Sequence, residues 1–159
     1  MMPGIPRLSD EHVAGVALLG NNVEIAYALL APARAADGDV QSYAARMRTD
    51  HTSLNAQLTD LLSRIDLEAQ DDPAGRALRD VSLARHARLQ RLTGRAFDAA
   101  YLDDDVLSHR ELLDVIDRVL TPNARHRELR EYLAALRPAV AAHLANAEQL
   151  RATLAARRP

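Results

Sequence analysis

Apolar residues recur along this chain at helical spacing nearly throughout, and no window alternates as a strand would. Val13, Val16, Val23, Tyr27 and Leu30 form one apolar stripe. It predicts a first helix from Ser9, as N-cap, to about Ala36, with Asp10 and Glu11 where the helix dipole favours acids. Pro32 should kink or fray the last turn. After an Asp37-Gly38 turn, a second helix carries two heptad rows: Val40, Met47, Leu54, Leu61 and Ala44, His51, Leu58, Ile65. Asp72 before Pro73 reads as a cap with proline at the first helical position, opening a shorter Arg-rich helix that Gly94 should stop. A fourth helix, about Arg95 to Leu120, carries Leu102, Val106, His109, Leu113 and Ile116 before Thr121-Pro122-Asn123 breaks it. The last, about Ala124 to Arg157, carries Leu129, Leu136, His143 and Leu150, with Pro138 predicting a kink one turn before His143.

Short turns make the first and second helices antiparallel neighbours, and likewise the fourth and fifth. Leu67 to Gly94, roughly 28 residues, would travel about 30 Å if mostly helical, the length of such a bundle. The expected fold is therefore all-α: a ferritin-like four-helix bundle with an additional helix in the crossover connection. A single helical-bundle domain is expected over residues 8–157, with residues 1–7 as a flexible N-terminus.

The polar members of the apolar rows are the candidate chemistry. His51, His109 and His143 stand where a bundle should place leucine, and a buried polar group left unpaired costs about 1–3 kcal/mol. Glu24 lies 13 residues before Asp37 and His51 lies 14 after it, so the two should meet at one level. His109 lies 14 residues after Arg95 and joins them if the crossover spans the bundle. His143, 20 residues past Asn123, should sit about 9 Å from that level. Asp105, one turn before His109, is nearer to it in height. Glu24, His51, Asp105, His109 and His143 are thus the candidate metal ligands, with Glu24, His51 and His109 as a three-ligand set leaving an open position. Nitrogen and carboxylate donors suit zinc, copper or iron, and affinity for any of them should fall as histidines protonate below roughly pH 6.5. No E-x-x-H motif precedes these histidines, which argues against a diiron centre. The competing reading is that the histidines are core residues bonded to Tyr27, Tyr43, Tyr101 or nearby carboxylates.

Composition narrows the function classes. The 159 residues contain no cysteine, which excludes disulfides and thiolate chemistry, and no lysine, which excludes Schiff-base and P-loop lysine mechanisms. A net charge of −2 argues against nucleic acid as a partner, and 3% aromatic residues are too few for base-stacking platforms. No nucleophile–base pair or glycine-rich phosphate loop is visible. No transmembrane segment of about 20 apolar residues is expected, and MMPGIPRLSD lacks the basic and apolar regions of a signal peptide. Asp50, about 100° around the helix from His51, is expected at the rim of the site. Asp103 and Asp104 are expected on a solvated face. The crossover arginines, Arg76 through Arg95, are expected to pair with acids on the fourth helix or to face an anionic partner.

The stretches SYAARMRTDHTSLNAQL, RAFDAAYLDDDVLSHRELLDVIDRVLTPNA and LRPAVAAHLANAEQL resemble an exported bacterial family, domain of unknown function 4142. The resemblance covers about Leu8 to Leu154. Its first-helix acid falls on Glu24, its Asp-His pair on Asp50 and His51, its FD-x-x-YL motif on Phe97, Asp98, Tyr101 and Leu102, and its later histidines on His109 and His143. It implies a ferritin-like fold, a periplasmic or extracellular location and no established activity. The expected function is a non-catalytic helical module of the cell envelope acting in binding or stress tolerance, with a homo-oligomeric or envelope partner. The alternative is a divalent-metal-binding bundle with a His/carboxylate core.

Overall fold

The computed structural model describes Gly4 and residues 7–157. Apart from Gly4 and Arg7, the expected flexible N-terminus lies outside the described residues. The elements are α1 (Asp10–Ala28), α2 (Ala31–Arg34), α3 (Gly38–Arg64), α4 (Pro73–Leu89), α5 (Gly94–Val115), a π turn (Ile116–Leu120), α6 (Thr121–Asn123) and α7 (Arg127–Ala156).

Local chemistry places most of the boundaries. Ser9 caps α1 by accepting from His12 N–H, and Asp37 caps α3 by accepting from Asp39 and Val40 N–H. Asp72 accepts from Ala74 N–H at 2.8 Å to start α4 behind Pro73. The α3 end closes with Leu67 N–H donating to Leu62 carbonyl oxygen, while Asp66 takes the left-handed conformation (φ 54°) that aspartate tolerates better than most residues. Three boundaries differ from the sequence expectation. The first helix breaks at Leu29–Leu30 and restarts as α2, with Pro32 in its first turn. Gly94, at φ 65°, opens α5; α4 has already ended at Leu89. Thr121-Pro122-Asn123 does not break the fourth helix at Leu120. A π turn widens the coil before Pro122, with Thr121 N–H reaching five residues back to Ile116, and helix continues to Asn123.

Hydrogen bonds between elements fix the topology. At one end Asp98, near the α5 start, accepts from Ala36 and Asp37 N–H at 3.1 and 2.9 Å, and Arg157 pairs with Asp37 and Asp39. At the other end Asp10, on the first turn of α1, accepts from Arg125 and His126 N–H at 2.8 and 3.0 Å, and Gln70 N–H donates to Glu11 carbonyl. The Gly38 and Pro122 turns therefore lie at opposite ends, and α4 carries the chain from one end to the other across α1 and α5. This is a four-helix bundle with an added crossover helix, as the spacing predicts.

The apolar interior is divided. One cluster gathers Val13, Val16, Leu58, Leu61, Leu112, Ile116, Leu129, Leu133 and Leu136. The other gathers Tyr27, Val40, Met47, Leu89, Phe97, Tyr101, Leu102 and Ala147. The expectation of no apolar span needs correction: Asp10–Arg34 is long and apolar enough to cross a membrane by length and composition, with a hydropathy of 1.5. Core packing accounts for that character, since 56% of the window is buried and its Val13, Val16 and Tyr27 belong to the two clusters. Alanine and leucine on the remaining face raise the average without contributing to the heptad stripe.

Candidate metal centre between two apolar clusters

Each long helix contributes to one buried polar layer. It contains Asn21 and Glu24 from α1, His51 from α3, Asp105 and His109 from α5 and His143 from α7, all at 2% exposure or less. Apolar clusters on both sides of the layer leave these side chains facing one another.

All five candidate residues meet here, including His143, which was expected about 9 Å away. The rings of His51 and His143 lie 5.0 Å apart by centroid, and His109 is 5.6 Å from each. The discrepancy comes from the counting origin. The turn at Asn123 is not the start of α7, which begins at Arg127, so His143 stands 16 residues into its helix while His109 stands 14 before Asn123. Two residues are worth about 3 Å, which the packing absorbs.

Every imidazole has one nitrogen committed to the protein and the other uncommitted. His51 Nδ1 donates to Asn21 Oδ1 at 2.8 Å, and Asn21 is oriented in turn by donating to Asn55 Oδ1 and Tyr132 hydroxyl. His109 Nδ1 donates to the Asp105 main-chain carbonyl at 2.8 Å. His143 Nε2 donates to the Asp50 carboxylate at 2.8 Å, and Asp50 also meets Arg46. Each acceptor fixes its ring's tautomer and leaves a lone pair on the opposite nitrogen. His51 Nε2, His109 Nε2 and His143 Nδ1 have no hydrogen-bond partner. Burial, followed by neighbouring imidazoles, pushes His51 down to about 2; burial also lowers His143, against the opposing pull of Asp50. Both rings are therefore neutral donors at physiological pH.

Two ligand groupings emerge among the described residues. His51, His109 and His143 each place a ligand atom within 4.8 Å of the others, and so do Glu24, Asp105 and His109. The structure thus groups these side chains differently from the Glu24–His51–His109 set. His109 Nδ1 is 3.5 Å from both Glu24 Oε2 and Asp105 Oδ2. Burial and then the charge of Asp105 hold the Glu24 carboxyl well above the usual carboxylate range. Tyr43, expected as a partner for a core histidine, instead donates its hydroxyl to Asp105 Oδ2.

Sequence reasoning missed Asn21. Its only signal is position, one turn before Glu24 on an otherwise apolar helix. Asp50 does lie at the rim, 37% exposed at its side chain, and holds His143 rather than His51. Asp103 is exposed as expected, but Asp104 is buried against Arg88 of α4, with 2.6 Å between them. The crossover helix covers that face of α5 and converts a solvated position into an ion pair. Arg85 likewise pairs with Glu111, so the expected pairing of crossover arginines holds for these two.

The comparisons place the chain among known proteins. The model of a domain of unknown function, DUF4142, matches residues 4–150. The chain belongs to the DUF4142 family. A solved structure of a DUF305 protein from Streptomyces coelicolor, described as secreted, superimposes with a TM-score of 0.76 at 12% identity. The match covers 92% of this chain and 94% of that one, so the two share a fold. No curated protein matches the sequence.

Proposed function

We propose that this DUF4142 protein is a metal-binding bundle that holds a divalent first-row cation on His51, His109 and His143. One observation carries the proposal: three buried imidazoles, each with one nitrogen held by the protein and the other unpartnered, each bring a ligand nitrogen within 4.8 Å of the others. Three orphaned acceptors would cost roughly 1–3 kcal/mol each if nothing ever bound them. The donor set is chemically suited to zinc or copper(II), and also to ferrous iron, with copper and zinc favoured by the usual affinity order. Zinc–nitrogen bonds of about 2.0–2.1 Å require nitrogens roughly 3.3 Å apart, so ligand atoms within 4.8 Å need only a modest closure.

Asp50, Asn21 and the Asp105 carbonyl act on this site by orienting its imidazoles. A periplasmic or extracellular home belongs to the same proposal, supported by the description of the DUF305 protein as secreted. The test is calorimetric titration of metal-stripped protein with zinc, copper and ferrous iron, beside a His51→Ala/His109→Ala variant. Saturable uptake by the parent and its loss in the variant are expected. Equal uptake by both, or uptake by neither, would reduce the layer to a structural network.

A further inference from the structure

Three imidazoles leave two buried carboxyl groups in the layer unused. Glu24 and Asp105 are 1% and 0% exposed, and Glu24 Oε2 and Asp105 Oδ1 have no hydrogen-bond partner. The Tyr101 hydroxyl, also buried and unpartnered, sits one helical turn before Asp105 on the same stripe of α5. No arginine pairs with either carboxyl among the described residues: Arg85 is held by Glu111 and Arg88 by Asp104. Tyr43 occupies Asp105 Oδ2, so the carboxyl is oriented with Oδ1 free. Ionised carboxylates are among the costliest groups a core can hold unless a proton, an ion pair or a coordinated cation neutralises them.

His109 divides this pair from the imidazole set. Its Nδ1 edge faces both carboxyls at 3.5 Å and keeps its proton on the Asp105 carbonyl, while its unpartnered Nε2 lies at the other edge of the ring. One ion cannot occupy both edges of one imidazole. We infer that the layer contains a second cation site, lined by the Glu24 and Asp105 carboxyls, each of which places an oxygen within 4.8 Å of the other, and separated from the three-imidazole site by the His109 ring. The inference rests on the metal-binding reading above and extends it from one ion to two of different character. Oxygen donors of this kind suit a hard divalent cation such as manganese or magnesium, whereas imidazoles select zinc or copper. Two carboxylates balance one divalent charge, so filling the site neutralises the buried pair.

The experiment loads metal-stripped protein with zinc, removes excess, adds manganese, and counts both metals by elemental analysis and manganese electron paramagnetic resonance. The parent should retain one zinc and one manganese per chain. Glu24→Gln/Asp105→Asn should lose manganese and keep zinc, because the Asp105 carbonyl that orients His109 is main chain and survives the substitution. His51→Ala/His143→Ala should lose zinc and keep manganese. A broadened, immobilised manganese signal from the zinc-loaded parent supplies the same answer without any variant. If the zinc-loaded parent binds no manganese, or the double amide variant binds it as the parent does, the second site is refuted while the first stands. If neither metal binds, both readings fall together.

Discussion

Replacing His51 with asparagine should flatten the acid sensitivity of the metal-free protein. Asparagine places its amide nitrogen near the position of Nδ1, so the bond to Asn21 Oδ1 can persist while the titrating ring is removed. In the folded chain burial holds His51 at about 2, against an ordinary value of 6.5. As pH falls through 6.5 the unfolded chain takes up a proton that the folded chain refuses, so stability is lost on acidification. Each pH unit below 6.5 costs about 1.4 kcal/mol, which amounts to roughly 2.7 kcal/mol by pH 4.5. His143, lowered in the same direction, adds to the loss. Glu24 opposes it: its raised folded value means the native state protonates first, so that stability is gained as pH falls from that value toward 4.5. Subtracting the variant from the parent isolates His51 from both. The assay is urea unfolding followed by circular dichroism, in chelator, from pH 7.5 to 4.5. The variant should begin less stable, having lost buried volume, and the parent should then lose about 2.7 kcal/mol more across the range. Stability profiles that run parallel to within about 0.5 kcal/mol would refute burial of a neutral His51. The same burial bears on metal release: a proton competes poorly at His51 near pH 6.5, so the contribution of this ligand to metal affinity should persist below that pH.

Asp50→Asn removes the charged acceptor that sets the His143 tautomer, and zinc affinity measured by calorimetry should fall about 10–100-fold with stoichiometry unchanged. Asp98→Ala removes the charged acceptor of the Ala36 and Asp37 N–H groups at the α2–α3 turn, where water can partly replace it, and should cost about 1–3 kcal/mol in denaturant unfolding without altering metal stoichiometry. Gly15→Ala would set a Cβ 2.0 Å from the Gln70 carbonyl oxygen, a backbone atom held by the Gln70–Glu11 hydrogen bond; calorimetric unfolding should show a loss of about 1–3 kcal/mol.

The repeat of apolar positions determines the helices, because one stripe per helix must leave water whatever the partner. Connection lengths determine the topology: short turns near Gly38 and Pro122 force antiparallel neighbours, and the long link through α4 can reach across the bundle. The burial of His51 and His109 was legible for the same reason, since both occupy heptad positions filled elsewhere by leucine and isoleucine. Only the tertiary structure decided how the layer is wired. The level of His143 depends on where α7 starts and on a π turn that Pro122 accommodates, and neither leaves a periodic trace in the sequence. Asn21 acts through α3 and α7, Asp98 through the α2–α3 turn, and Asp104 through an arginine on the crossover helix. These contacts join residues from 16 to 111 positions apart, so their partners exist only once the helices have packed. Hydrophobic periodicity is a property of one helix and can be read along the chain; a ligand set or a hydrogen-bond relay is a property of several helices at a common height, and it is settled by the packing that sets those heights.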